Sequence, residues 1–408
     1  MSNYQHTFTL RQHTPMIHFQ ADEEGAFVRV SELKPAFDRY LWEKVWTPED
    51  DIESKAEMLI CYTDAQREEI IKTVKEKNYQ WDDWSLNYSV EIEDINESKR
   101  KISNIDKFPC YFADLGKAEN KPKFVFYEPD FSIKFTCFDE TLLKVIIQYF
   151  PTFLSRTNFG ARKSKGFGSF TVIDTLSQSP ILPKTTIKGL YSFEVKNMDD
   201  KTFRALFEHI DLFWKVLRNG IDVPLKIPSA LGKWVDSKGL HFDKSTLKKY
   251  VDNSINKNAT SDQNTKKNIL YRDLLGLAST TEWHFQRITM DKTSTNTEQK
   301  IDRIMSPILI KPIRQASSSN YTVYLVVPLL NNEVLSKEFR IELKNKSGNI
   351  GLPTTFKTSN DATTLRLFMD YAVGTYKNTF LADYKRDNRP DVNKIKVVFG
   401  SLRKITQP

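Results

Sequence analysis

Phe159-Gly160-Ala161-Arg162-Lys163-Ser164-Lys165-Gly166-Phe167-Gly168-Ser169-Phe170 is a glycine-framed loop with three cations in four positions. A long amphipathic segment precedes it and a strand-like run, Ser169 to Ile173, follows. No acid interrupts the chain between Glu140 and Asp174. Glycine allows positive φ and close approach of the backbone to a ligand. Consecutive N–H groups in such a loop form an anion-binding concavity, and Arg or Lys supplies counter-charge. The pattern reads as a grip on a phosphate backbone, which makes nucleic acid the first partner to consider. The bland alternative is a solvated hairpin with surface lysines. Two nucleotide motifs are excluded by single residues. A Walker loop needs Lys-Ser or Lys-Thr after its second glycine, where Gly166 is followed by Phe167. A dinucleotide fingerprint needs a third glycine where Thr171 stands.

Working outward, the helix before the loop runs from Glu140 to Leu154. Asp139 is a suitable N-cap, and Leu142, Leu143, Val145, Ile146 and Ile147 supply the core side. Before that, Phe131-Ser132-Ile133-Lys134-Phe135 alternates as a half-buried strand does, and Lys123 to Tyr127 reads as its neighbour. The chain opens with a strand from Tyr4, bent at Thr14-Pro15. Ser31 is the expected N-cap of a helix on Leu33, Phe37, Tyr40 and Leu41, with Pro35 in its first turn. Between these, Glu43 to Phe108 is acidic and irregular apart from a helix, Ala65 to Lys77. The order is strand, helix, strand pair, helix, strand, which is a ferredoxin-like unit carrying an insertion.

The second half repeats the theme. Thr186 to Val195 predicts a strand, and Asp199 or Asp200 caps a helix ending near Arg218. Strands Ile304 to Ile313 and Tyr321 to Leu330, a helix Thr363 to Tyr376 and a closing strand Ile395 to Leu402 follow. The expected fold class is α+β, with two ferredoxin-like (RRM-like) domains. Residues 1–178 form one, with an insertion at about 45–122. Residues 179–408 form the other, with an insertion at about 220–302. Both insertions are expected to be largely helical or irregular.

Composition narrows the function classes. The 408 residues carry a formal charge of +8, and the isoelectric point is about 9.0, which favours an anionic partner. Cys61, Cys110 and Cys137 stand far apart, with no CxxC or Cys/His cluster to suggest a structural zinc or a disulfide framework. Met1 to Leu10 has no basic segment leading into an apolar core, and no apolar run approaches spanning length. The expectation is a soluble, cytoplasmic protein without cofactor or membrane partner.

Five stretches carry a resemblance to a known group. They are Leu10-Arg11 through Thr14-Pro15-Met16, the helix Leu33 to Leu41, the loop Gly160 to Ser169, Arg303-Ile304-Met305-Ser306-Pro307-Ile308, and Gly351-Leu352-Pro353. Together they resemble the RAMP superfamily of CRISPR proteins, and within it the first-numbered subunit of the type III-B Cmr effector complex. One departure is local. Such subunits usually carry a glycine pair after the Thr-Pro element, where this chain has Ile17-His18-Phe19-Gln20. The resemblance implies RAMP domains in a non-catalytic subunit. It would hold CRISPR RNA near its 3′ end and help capture target RNA, alongside other Cmr subunits. Guide pairing would supply sequence while the protein reads backbone and shape.

The RNA-binding set expected on this basis starts with Gly160, Arg162, Lys163, Lys165, Gly166, Phe167 and Gly168. Arg11, Lys34 and Arg39 would join from the first strand and helix, and Arg303, Lys311 and Arg314 from the second half. Phe167 either stacks on a base or sugar or packs under the loop. Lys344 and Lys346 beside a second glycine stretch are further candidates. The rival class is a metal-independent endoribonuclease acting on CRISPR transcripts. It would use His6, His13 or His18 as general base. A third reading makes the Trp42, Trp46, Trp81 and Trp84 region a docking surface for another subunit.

Overall fold

The computed structural model describes residues 4–17, 27–46, 52–61, 63–76, 84–104, 123–174, 176–177, 179–180, 188–196, 203–222, 224–239, 271–278, 280–283, 288–294, 303–304, 306–315, 319–330, 338–345, 348–351, 356–357 and 361–405. The chain divides into two compact units. The first comprises Met1–Phe108, Phe112–Thr186 and Lys311–Thr322; the second comprises Pro109–Tyr111, Ile187–Ile310 and Val323–Pro408.

In the first unit the elements are β1 (Gln5–Gln12), β2 (Met16–Ile17), α1 (Val30–Tyr40), α2 (Ile52–Glu57), α3 (Asp64–Lys75), β3 (Ser89–Glu93), β4 (Arg100–Asn104), β5 (Lys123–Tyr127), β6 (Phe131–Thr136), α4 (Glu140–Ser155) and β7 (Phe170–Val172). The main sheet has the order β3-β6-β1-β7, with every neighbour antiparallel. A smaller antiparallel sheet runs β2-β5-β4. β3 falls inside the range expected to be an insertion, yet it is the edge strand of the main sheet.

The core follows from periodicity. β6 buries Phe131, Ile133 and Phe135 and leaves Ser132, Lys134 and Thr136 half-buried. α4 is capped as expected, the Leu142 N–H donating to Asp139 Oδ1 at 2.9 Å. It buries Leu142, Leu143, Ile146, Phe150, Phe153 and Leu154. Phe8, Phe37, Phe135 and Phe150 meet ring to ring at 4.8–6.2 Å between centroids. Each fully buried Phe of this kind contributes on the order of 2–3 kcal/mol by removal of apolar area from water.

α1 departs from expectation at its start. It begins at Val30, after an extended Arg29 that caps it without a side-chain bond, so Ser31 lies inside the helix and Pro35 in its second turn. Its Asp38 is buried and accepts bonds from the Tyr88 hydroxyl, Ser85 Oγ and the Leu86 N–H. A carboxylate removed from water is tolerated only when its lone pairs are met in this way. Burial and the Asp38 charge push the Tyr88 hydroxyl well up from its ordinary pKa.

After Thr186 the elements are β8 (Leu190–Val195), α5 (Arg204–Arg218), α6 (Ala230–Ser237), β9 (Leu277–Ala278), β10 (Thr280–Trp283), β11 (Ile288–Ser294), β12 (Arg303–Ile304), β13 (Leu309–Arg314), β14 (Tyr321–Val326), β15 (Glu338–Asn345), β16 (Gly348–Gly351), β17 (Phe356–Lys357), α7 (Thr364–Tyr371), α8 (Lys377–Asp383), α9 (Pro390–Ser401) and β18 (Arg403–Lys404); of these, β13 from Lys311 on and the first two residues of β14 count with the first unit. One sheet has the order β13-β14-β8-β18. Another runs β10-β11-β15-β16, with β17 also paired to β15. The range expected as a second insertion therefore contributes strands as well as helix.

Two expectations fail here. Ile395 to Leu402 is helical: Pro390 sits at the start of α9, and Val392, Ile395, Val398 and Phe399 are buried at helical spacing. α5 starts at Arg204 behind Phe203, whose φ is +60° and whose side chain makes no cap bond. Asp199 and Asp200 lie outside the described residues. The two four-stranded sheets share one order, with the first strand between the third and fourth. The fold is α+β, mixing helices with antiparallel sheets.

Candidate nucleic-acid interface

The glycine loop leaves α4 at Thr157 and returns at Ser169, where Asn158 and Ser169 form an antiparallel bridge. The Phe159 N–H donates to Gly168 O at 2.9 Å and closes its neck. The floor beneath is the segment 13–17. Ala161 N donates to Ile17 O and Gly168 N to Pro15 O, each at 2.8 Å. Thr14 Oγ1 donates to Gly166 O at 2.7 Å and accepts from Ser169 N at 3.0 Å. Glu32 Oε1, from α1, accepts the Gly160 N–H at 2.9 Å. Gln12 secures the floor in turn, donating to Val125 O and accepting from Tyr127 N.

This geometry narrows the anion-cradle reading of the backbone. The N–H groups of Gly160, Ala161, Lys165, Gly168 and Ser169 are spent on internal bonds. Gly166 and Gly168 are buried, so they shape the loop rather than touch a ligand. Phe167 is fully buried, between the equally buried Phe159 and Phe170 in sequence. It therefore packs under the loop and does not stack on a base. What the loop offers outward is side-chain charge: Lys163 is exposed, and Arg162 and Lys165 are half-buried.

The glycines are required by space as well as by φ. Gly168 has φ +65°, and a Cβ there would lie 2.0 Å from Phe159 O. Gly168→Ala is expected to lower unfolding free energy by on the order of 3 kcal/mol, from left-handed strain plus overlap. Gly374→Ala, where an added Cβ meets nothing within 4 Å, is the neutral control. Thermal denaturation of both reads the difference.

Other expected cations prove to be committed. Lys34 Nζ donates to Asp38 Oδ2 at 2.7 Å, Ser85 Oγ at 2.6 Å and Leu86 O at 2.8 Å, and stands 4.3 Å from the Tyr88 ring centroid. It clamps α1 to the approach to β3. Arg11 forks onto Asp130, with Nε and Nη2 at 2.7 and 2.6 Å from the two carboxylate oxygens. Its charge is thus met by a bidentate partner. Lys311 is 1% exposed, with all three amine bonds directed inward, so it cannot reach RNA. Arg39 stays half exposed, with Glu43 at 4.0 Å, and Arg314 is exposed. Arg303 lies in β12, and its side chain is outside the described residues, as are those of Lys344 and Lys346.

Two of the described histidines are likewise tied. His13 is buried; its Nδ1 accepts the Arg314 N–H at 3.1 Å, so Nε2 carries the proton and donates to Thr171 Oγ1 at 2.7 Å. Burial first, then the positive charges of Lys311, Arg11 and Arg314, hold its pKa well below the ordinary value. His209 donates from Nδ1 to Ala205 O within its own helix. His6 stands edge-on to Phe8, while His18, His241 and His284 lie outside the described residues. Among the described residues, no group of three His, Cys, Asp or Glu is placed to hold a metal, and no helix is long and apolar enough to cross a membrane. Trp42 is buried in the first unit's core, with Trp84 and Trp46 at 5.5 and 6.2 Å between ring centroids. Trp42 serves the fold of its own unit, and Trp46 and Trp84 pack against that core while partly exposed; Trp81 is outside the described residues.

The cationic loop, the Thr14-Pro15 floor and α1 all fall within residues 3–221, which match the family model described as the Cmr1 N-terminal domain. Residues 226–397 match the Cmr1 C-terminal domain. The chain belongs to the Cmr1 family. The resemblance read from the five stretches is thereby borne out, and membership points to a subunit of the type III-B CRISPR Cmr effector complex. Comparison with curated proteins gives no match. The Cmr1 N-terminal match extends past β8 and α5, so the family boundary and the boundary between compact units differ. Sequence reasoning missed Asn158, Thr14 and Glu32, which fix the loop. The one available signal was a small polar residue before Pro15.

Proposed function

We propose that the chain is a non-catalytic RNA-binding subunit of a Cmr ribonucleoprotein, holding CRISPR RNA near its 3′ end and helping to capture target RNA in antiviral defence. The observation that carries this reading is the loop itself. Three cations stand on a turn whose backbone is fastened at five N–H groups, within the Cmr1 N-terminal match. Preformed charge loses little ordering entropy when it meets a phosphate chain. Side-chain cations without base-reading partners suit a protein that leaves sequence to the guide.

Sheet order supports the fold half of the proposal. In each four-stranded sheet the order is second, third, first, fourth strand, with helix between first and second and between third and fourth. That order fits a ferredoxin-like arrangement, which supports the two RAMP domains of our proposal. The non-catalytic half rests on His13, whose neutral ring has both nitrogens bonded inside the fold. A general base needs a free nitrogen within reach of the substrate hydroxyl.

The test is titration of the full chain with single-stranded RNA over a range of salt. Binding that weakens as salt rises supports the proposal; no binding even at low salt contradicts it.

A further inference from the structure

Residues 311–322 count with the first unit, and Lys311 occupies its interior. Its Nζ donates to Thr157 O at 2.9 Å, Asn158 Oδ1 at 3.1 Å and Phe170 O at 3.0 Å. Two of these oxygens belong to the chain entering the cationic loop and one to the chain leaving it. Asn158, 1% exposed, uses the other end of its amide on the loop: Nδ2 donates to Lys163 O at 2.7 Å. A buried amine, a buried amide and the backbone of the loop's exposed cation are thus joined in series.

The turn they reach is a strained one. Arg162 holds φ +56° without being glycine, a state that persists only where surrounding contacts over-determine it. The Lys165 N–H to Arg162 O bond, 2.8 Å, closes the turn. The Asn158 bond fixes the residue between them.

We propose that Lys311 and Asn158 are positioning residues, holding the turn 162–165 in the conformation that presents Arg162, Lys163 and Lys165 to RNA phosphates. The inference rests on the loop being the RNA grip. Without the amide, Lys163 O loses its buried donor and the turn relaxes toward unstrained conformers. The same three cations then meet the phosphate chain unordered, and binding must supply the ordering.

Two variants test this. Asn158→Leu removes both amide contacts at similar volume. Asn158→Asp keeps an acceptor for Lys311 and places a second oxygen against Lys163 O. Two quantities are read on the full chain: amide hydrogen exchange at 160–166 without RNA, and affinity for a labelled single-stranded RNA. Both variants should exchange faster in the loop and bind RNA about three- to tenfold more weakly, the loss of roughly one buried hydrogen bond. In a background with all three loop cations replaced by Gln, the Asn158 changes should have no further effect on affinity. Unchanged exchange overturns the positioning role, whatever RNA affinity does. Faster exchange with unchanged affinity overturns the proposal by showing that the ordered turn is not what RNA meets. An RNA affinity that survives removal of the three cations overturns the grip itself, and the exchange data identify that case separately.

Discussion

Replacing Arg162, Lys163 and Lys165 together by Gln should weaken RNA binding by on the order of 100-fold near physiological salt, taking ~1 kcal/mol per lost phosphate contact. The sharper signature is the salt dependence. Three to five phosphate contacts give a slope of log K against log salt of roughly −2 to −4 for single-stranded RNA, and removing three should flatten it by about 2. The fold should tolerate the change. The loop is fastened through main-chain groups and through Thr14, Glu32 and Asn158, none of which is altered. Surface substitutions of this kind stay within about 0.5 kcal/mol. A thermal midpoint close to wild type with a flattened slope supports the grip. An unchanged slope means the cations are solvated and RNA, if bound, is held elsewhere.

Lys311→Ala should produce the largest change in stability, a loss of about 3–5 kcal/mol near pH 10. Three effects compete. Truncation removes the packing of a buried four-carbon stem and leaves a cavity. It also orphans Thr157 O, Asn158 Oδ1 and Phe170 O, each costing about 1–3 kcal/mol where no second partner replaces the amine. Against these, removing an ionisable group relieves its desolvation. That relief is small near pH 10 and grows toward neutral pH, because burial pushes the Lys311 amine down from its ordinary 10.5 to about 7. Lys311→Met keeps the stem and should lose less, about 1–3 kcal/mol.

The depressed value also fixes a pH dependence. Between about pH 7 and 10.5 the unfolded chain keeps the Lys311 proton while the folded chain has lost it. The unfolded state therefore binds more protons, and the Lys311 contribution to stability rises with pH across that window, by at most about 1.4 kcal/mol per unit. It is lost as pH falls through about 7. The stability gap between wild type and Lys311→Met should accordingly widen from pH 7 to pH 10, as read by denaturant titration. A constant gap would mean that Lys311 titrates at its ordinary pKa and that its three oxygens hold the ammonium fully.

What the sequence disclosed depended on how local the cause was. β6 and α4 were legible because alternation and helical spacing are written into single stretches, with Asp139 marking where α4 begins. The loop's position was legible from its glycines. Its mechanics were not: the floor at Thr14 and Pro15 is more than a hundred residues away in sequence, so nothing local shows that five of the loop's N–H groups are already spent. Phe167 illustrates the ambiguity, since an aromatic among cations reads equally as a stacking platform or an anchor, and only its complete burial decides. Lys311 stands in an apolar run, Ile308-Leu309-Ile310-Lys311-Pro312-Ile313, that marks the strand. A lysine in a strand is ordinarily placed on a wet face, and the three waiting carbonyl-type oxygens come from elsewhere in the chain. α9 was misread because Ile395-Lys396-Val397-Val398-Phe399 is rich in β-branched residues, although Pro390 followed by Asp391 was a helix-start signal. The Arg11 partner, Asp130, could be matched to it only in three dimensions, whereas Lys34 and Asp38 are four apart on α1, a local pairing the sequence did offer.

The most direct measurement of the central claim is recovery of this chain from its native host under conditions that preserve complexes, followed by sequencing of bound RNA and identification of bound proteins. The account predicts CRISPR RNA together with other Cmr subunits, and depletion of both the RNA and its 3′-end protection when the loop triple replacement is expressed instead. Intact chain recovered with neither RNA nor Cmr partners would contradict it, and the cationic loop would then belong to some other anion.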